Sequence, residues 1–342
     1  MAAPRHPHPG DVAWAERSRP ESRKPPRIIL FDPVTGGRTE NVPLQGLRAK
    51  ISAPKSFLFG DFQSPTDEEL AALGSELSLH PLAIEDVRHR HQRPKIEVFP
   101  DHYFLVCYRI TAGDGRIAMA EIDAFIGPNF LIVCHDGEVP LLVDVVDRYC
   151  RQPGSHDVSG LLYEVLDAVV DEYFPVLDDL AERTEAVESA VFAEFDRSRL
   201  AELLDLKKDL ALLRRVIAPE RDAVNVLLRR DPPVLDSSRI FYFQDVYDHL
   251  IRITDSIDTY RELLTGSLDA FLSVENNRLS EVVRKLTLIS TVFLPLSFVT
   301  GFFGMNFRRL SGAGDGIFAA AVAAMVILPA ALLWLIRRQG MR

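Results

Sequence analysis

Two patterns of apolar residues divide the chain. Up to about residue 136 the apolar stretches are short and bounded by Pro, Gly and polar turns, which predicts strands mixed with helices. Arg27 to Phe31 (RIILF) and Ser56 to Phe62 (SFLFGDF) predict short strands. Tyr103–Ile110, Ile117–Ile126 and Phe130–Cys134 predict three more, the last two joined as a hairpin at Pro128-Asn129. Thr66 to Leu77 predicts a helix, with Thr66 as cap and Glu69 three positions on completing a capping box. Beyond Val139 the period turns helical. Leu162, Val165, Leu166, Val169, Val170, Phe174, Leu177 and Leu180 recur at three and four spacing, within a helix expected over Ser155–Phe195 and kinked at Pro175. A second amphipathic helix is expected over Arg197–Arg230, where Asp231-Pro232-Pro233 breaks it. A third starts near Ser237 and meets no proline before Pro295. Continuous to Asn306, it would measure roughly 100 Å at 1.5 Å per residue, so it is expected to be a stalk packed on the preceding helices.

The chain closes with two apolar runs. Leu286–Asn306 (LTLISTVFLPLSFVTGFFGMN) has no ionisable side chain and is about as long as a bilayer-crossing helix, roughly 20 residues. Ile317–Ile336 follows and stops at Arg337-Arg338. The basic residues Arg284-Lys285, Arg337-Arg338 and Arg342 place both outer ends of this hairpin in the cytoplasm. The expected organisation is a disordered Pro-, Arg- and Ser-rich arm over 1–26, then a cytosolic α/β domain over 27–154, of α+β class with helices packed on its sheet. A helical stalk over 155–285 leads to a transmembrane helix over 286–306. An extracytoplasmic loop over 307–316, a second transmembrane helix over 317–336 and a basic cytosolic tail over 337–342 complete it.

Charge sharpens this picture. The formal net charge of −10 argues against nucleic acid as a partner and suits a surface that handles cations. Cys107, Cys134 and Cys150 lack CxxC spacing and are expected to be free thiols. His89 and His91 lie near Arg88 and Arg90, and His135 adjoins Asp136. Neither group has nucleophile–base spacing or a phosphate loop, so solvated loop histidines are expected and an enzyme is not. A two-span hairpin cannot enclose a pore alone, so conduction would require several copies. Along the last helix Asp269, Ser273, Asn276, Ser280, Val283, Leu286, Ser290, Leu294, Ser297 and Gly301 share one face at steps of three or four. The face is polar or small, interrupted by Val283, Leu286 and Leu294; a coiled-coil seam with polar interruptions is the alternative reading.

Several motifs then agree on one family. HPLAIEDV at His80–Val87, HQRPKIEVFPDHYFLV at His91–Val106, YFQDVYDHLIRITDSIDTYRE at Tyr242–Glu262 and KLTLISTVFLPLSFVTGFFGMNF at Lys285–Phe307 are followed by a terminal helix ending in basic residues. In this order, from about Phe57 onward, they resemble the CorA family of divalent-cation channels. The resemblance implies a funnel-shaped homopentamer in the cytoplasmic (inner) membrane, both termini cytoplasmic, with a pore lined by the first transmembrane helix. The implied cargo is Mg²⁺, with Co²⁺ or Ni²⁺ as further candidates.

In such a ring Val283, Leu286 and Leu294 would form constrictions that gate by dewetting, with Asp269, Ser280, Ser290, Ser297 and Gly301 lining the rest. Gly304, Met305 and Asn306 would form the selectivity filter. Mg²⁺ gives up its water reluctantly, so a ring of Asn306 amides suits the hydrated ion. Gly304 would let the backbone turn, and Met305 would pack behind the ring. By motif, Asp86 and Asp245 match positions that hold a regulatory Mg²⁺ between neighbouring subunits, with Glu85 as an adjacent ligand. The plain alternative is a local ion pair for Asp86 and a solvated helix face for Asp245. One segment departs from the family. After the filter the chain reads FRRLSGAGDG, with Arg308-Arg309 where members carry an acidic residue in a Met-Pro-Glu-Leu-like segment, and only Asp315 is acidic. Two rivals share the features: a ZntB-like zinc transporter on the same fold, and a membrane-anchored scaffold that assembles without transport. The absence of His and Cys from the proposed pore favours a hard, hydrated ion over Zn²⁺.

Overall fold

Seven strands form one mixed sheet in the order β2-β1-β3-β7-β6-β5-β4. The computed structural model describes residues 23–32, 37–51, 56–113, 116–152, 156–193, 197–229, 236–304 and 315–338. The strands are β1 (Arg27–Asp32), β2 (Gly37–Glu40), β3 (Phe57–Gln63), β4 (Lys95–Val98), β5 (Tyr103–Gly113), β6 (Arg116–Ile126) and β7 (Phe130–His135). The central pair β3 and β7 is parallel, and every other pairing is antiparallel. All of β7 is buried, as is most of β3, which is why both read as unbroken apolar runs rather than alternating ones. The expected β6–β7 hairpin is present. The two edge strands β2 and β4 lie outside the expected set: both are only four residues long, and GRTE carries no large apolar side chain.

The helices are α1 (Leu47–Lys50), α2 (Asp67–Leu77), α3 (Pro81–His89), α4 (Pro140–Arg151), α5 (Val158–Asp171), α6 (Tyr173–Ala193), α7 (Arg197–Arg229), α8 (Ile240–Gly304) and α9 (Asp315–Arg338). The capping box of α2 is formed: Thr66 Oγ1 accepts from the Glu69 N–H at 3.2 Å, and Glu69 Oε2 accepts from the Thr66 N–H at 2.9 Å. Helices α5, α6 and α7 pack on β5, and α7 also reaches β4. The single helix expected over Ser155–Phe195 is instead two, α5 and α6, parted at Glu172. Pro175 offers no N–H to the Asp171 carbonyl. Glu172 is drawn to the sheet by a two-pronged ion pair with Arg109 of β5, at 2.6 and 2.8 Å.

His135 corrects a second expectation. It is the last residue of β7 and is buried, with Nε2 2.8 Å from Asp61 Oδ1 and Nδ1 3.0 Å from the Gly137 carbonyl. Strand pairing with β3 carries it inward, so it is not a solvated loop residue. The arm expected over 1–26 lies outside the described residues up to residue 22, and Arg23 and Lys24 pair with Glu69 and Glu138. The cysteines Cys107, Cys134 and Cys150 are free thiols, the first two buried.

The chain divides into two units, Met1–Ser267 and Leu268–Arg342. Within the first, α8 buries Phe243, Val246, Leu250, Ile253, Ile257 and Leu264, the three-and-four spacing of a packed helix face. Within the second the same helix exposes Leu279, Val282, Leu286, Ile289, Phe293, Leu294 and Phe298. The most apolar 18-residue window of α8 has a mean hydropathy of 1.6 and none of it is buried. An apolar surface of that extent needs lipid or protein to cover it. Helix α9 carries a shorter apolar stretch, Val322–Leu332.

Candidate metal centre and pore face

Helix α3 sets Asp86 and Glu85. His80 caps it, its Nδ1 accepting from the Leu82 N–H at 3.3 Å, and Pro81 takes the first helical position, where a missing N–H costs nothing. Asp86 Oδ2 accepts a 2.6 Å hydrogen bond from Lys95 Nζ at the start of β4, and Lys95 also reaches Glu97 at 2.6 Å. Partial burial works against the Lys95 charge, but the bonds to Asp86 and Glu97 hold its pKa above the ordinary value. The neighbouring Glu85 is exposed, and its backbone carbonyl lies 3.0 Å from His89 Nδ1. Adjacent residues of a helix diverge by about 100°, so Glu85 and Asp86 do not converge on one point within a single chain.

A different set of ligands does converge. One ligand atom from each of Asp167, Asp171 and His249 lies within 4.8 Å of the others. Asp167 and Asp171 are four apart in the last turn and a half of α5, so they share a face and repel each other. His249 comes from α8, its ring edge-on to Phe174 with centroids 5.5 Å apart. His249 Nδ1 is buried and has no hydrogen-bond partner among the described residues. Burial and then the charge of Asp171 push the Asp167 carboxyl up; Asp245 and Glu164 add to this, and His249 opposes it. Asp245 stands one turn before His249 on α8, so its charge bears on the same spot. Two clashing carboxylates and an imidazole whose ligand atoms lie within 4.8 Å of one another make a donor set that suits a divalent cation. Asp245 was legible by motif. The other three were not: the signal is the pair of i, i+4 spacings, Asp167/Asp171 and Asp245/His249, each a polar interruption beside an apolar helix face.

The pore-face residues fall on one element. Asp269, Ser273, Asn276, Ser280, Val283, Leu286, Ser290, Leu294, Ser297 and Gly301 all lie on α8 and all are exposed in the single chain. Leu294 is 72% exposed and Leu286 63%, large aliphatic side chains with no cover. Leu286, Ser290 and Leu294 join Thr287, Thr291, Pro295 and Leu332 of α9 around a groove of about 430 Å³. Gly304 ends α8; Met305 and Asn306, and likewise Arg308 and Arg309, lie outside the described residues.

The sequence and the fold both match known proteins. The family model described as CorA-like Mg2+ transporter protein matches residues 54–338. The cobalt/magnesium transport protein CorA of Thermotoga maritima is 32% identical over 320 residues, covering 86% of this chain and 90% of the relative. The putative metal ion transporter YfjQ of Bacillus subtilis is 30% identical over 271 residues, 78% of this chain and 83% of its own length. The solved CorA magnesium transporter from Methanocaldococcus jannaschii matches 92% of this chain and 98% of its own with a TM-score of 0.72, a likeness of fold at 23% identity. The family these matches define is one of metal-ion transporters, not enzymes. The chain belongs to the CorA-like Mg²⁺ transporter family.

Proposed function

We propose that the chain is one subunit of a homopentameric channel that moves Mg²⁺, with Co²⁺ or Ni²⁺ as further cargo, across the cytoplasmic membrane. The observation that carries this reading is the α8 face from Asp269 to Gly301. It combines small polar groups with exposed aliphatic ones on a helix whose apolar window has nothing covering it. A span facing only lipid would gain nothing from Ser290 and Ser297. Five such faces around an axis give a polar lumen with dewetting constrictions at Val283, Leu286 and Leu294. Residues 286–306 and 317–336 would cross the bilayer, 307–316 would lie outside, and both termini would remain in the cytoplasm. The groove beside Leu294 gives a neighbouring copy somewhere to seat its own apolar side chains.

In this reading the Gly304-Met305-Asn306 segment filters the hydrated ion at the outer mouth. Asp167, Asp171, His249 and Asp245 hold a regulatory divalent cation, and Asp86, with Glu85 beside it, meets that region from a neighbouring subunit. Occupied, the site neutralises carboxylates that otherwise repel, and favours a tight, closed ring; emptied, it lets the ring loosen. Carboxylates dominate the donor set, which suits Mg²⁺, while His249 leaves room for Co²⁺ or Ni²⁺. Proteoliposome uptake tests the reading. Mg²⁺ flux should exceed Zn²⁺ flux and be abolished by Asn306→Ala. Zn²⁺ flux alone would favour the zinc transporter, and assembly without flux would favour the scaffold.

A further inference from the structure

The break between α5 and α6 joins the cation cluster to a buried acid that the proposed pore does not use. Three successive residues there face three ways: Asp171 into the cluster, Glu172 to Arg109 of β5, and Tyr173 inward toward α7. The Tyr173 hydroxyl reaches the Tyr108 carbonyl, which lies beyond the last β4–β5 pair at Lys95 and Val106. The same hydroxyl stands 3.0 Å from both carboxyl oxygens of Glu220, which is 1% exposed. A tyrosine hydroxyl has one proton to donate. If Glu220 is neutral, it donates to the Tyr173 oxygen and Tyr173 donates to Tyr108, so every group is satisfied. If Glu220 is ionised, the one Tyr173 proton must serve both the carboxylate and the Tyr108 carbonyl; the Tyr108 peptide N–H supports the carboxylate, but when Tyr173 turns to it the carbonyl goes short.

Among the described residues no cation stands against Glu220, and the Tyr108 peptide is its one further donor. From α6 Tyr173 acts on Glu220, and from β5 the Tyr108 peptide and the Cys107 thiol do. The Cys107 thiol of β5 is buried nearby, and Arg109 of β5 is taken by Glu172. On β4, Lys95 and Glu97 bond each other; Arg221 and Asp222 of α7 are paired, and Asp258 of α8 is bonded to Arg214. Burial drives the Glu220 carboxyl up to about 8, against the pull of Tyr173 and the Tyr108 peptide. The protonation change therefore falls within reach of cytoplasmic pH.

We propose that Glu220 and Tyr173 form a proton-operated latch that fixes the α5–α6 junction, and that through Asp171 it tunes how tightly the cluster holds a divalent cation. The second half rests on the cation reading of Asp167, Asp171 and His249. The test uses the full-length protein in detergent. In chelator, amide exchange protection around residues 108–110 and 171–174, corrected for intrinsic rate, should fall about tenfold from about pH 7 to about pH 9 in the wild type. It should change less than about twofold in Glu220→Gln and in Tyr173→Phe. An equal fall in wild type and both variants overturns the latch. Mg²⁺ calorimetry over the same range should show affinity weakening about threefold in the wild type and not in Glu220→Gln. Asp171→Asn separates the two claims. If it leaves Mg²⁺ affinity unchanged, the cation reading and the linkage both fall, while exchange still decides the latch. If Asp171 is needed but Glu220→Gln keeps the wild-type pH dependence, the linkage alone falls.

Discussion

Lys95 holds Asp86 at 2.6 Å, so the carboxylate proposed to meet a cation between subunits is already neutralised within its own chain. An ammonium in that place competes with a divalent ion for the same oxygens. Lys95→Met keeps the stem length and removes the competitor. The Mg²⁺ concentration that half-inhibits uptake is expected to fall about three- to tenfold. The accompanying rise in melting temperature on adding Mg²⁺ should begin at correspondingly lower concentration. If both midpoints stay where they are, Asp86 takes no part in regulation and its pairing with Lys95 is purely structural.

How far the site could be read from sequence depends on the physics of each part. Thr66 and Glu69 announce their capping box because both partners lie within one turn. Leu286 to Gly304 announces itself because an apolar run of that length has few other uses. The kink is legible at Pro175, but the ion pair that draws Glu172 to the sheet involves Arg109, which lies 63 residues away and on a strand. The i, i+4 pairs Asp167/Asp171 and Asp245/His249 are visible in the sequence, but that they meet depends on α5 and α8 coming together, a tertiary fact that neither spacing encodes. His135 reads as a loop residue until β7 pairs with β3 and carries it against Asp61.

Glu220 makes a prediction about stability that is separate from any metal. Its carboxyl stands at about 8 in the folded chain, and the ordinary value is 4.5. For an acid whose folded value is raised, the folded state binds the extra proton. Its stability is therefore fullest below about pH 4.5 and declines as pH climbs toward about pH 8. Glu220→Gln should remove that decline and stabilise the first unit at about pH 8 by an amount of order 4 kcal/mol. Chemical denaturation with chelator present, compared at about pH 6 and about pH 8.5, measures it. Parallel pH dependence in the two proteins would show that Glu220 is ionised at little cost.

Arg90 and Asp123 form the most deeply buried ion pair among the described residues, with Arg90 Nη1 2.5 Å from Asp123 Oδ2. Asp123 is fully buried, and burial drives its carboxyl well up; the Arg90 charge opposes this without cancelling it, and Glu121 adds to the rise. Arg90 closes α3 with φ at +49°, a left-handed conformation that a side chain adopts only when held there. Arg90→Ala would leave Asp123 with no opposite charge, only the Glu121 carboxyl beside it, and should cost about 3–5 kcal/mol. Adding Asp123→Asn to that variant should recover a good part of the loss, because no charge is then left buried. A single-variant cost below about 1 kcal/mol would mean that Asp123 is already protonated in the wild type.

Arg308 and Arg309 follow the proposed filter directly, and a ring of five copies would set ten arginines about the outer mouth. Positive charge at a cation entrance lowers the local ion concentration, unless the guanidinium groups reach lipid phosphates. The effect is long-ranged only when salt is scarce, since the Debye length shortens from about 30 Å at 0.01 M to about 8 Å at 0.15 M. Reversing both charges, Arg308→Glu with Arg309→Glu, should therefore raise Mg²⁺ uptake several-fold at low ionic strength and change it little at physiological salt. Initial rates in proteoliposomes across a salt series would read this out. A salt-independent gain would point to altered filter geometry rather than field. Unchanged flux at every salt concentration would mean that the arginines face lipid and do not act on the ion path.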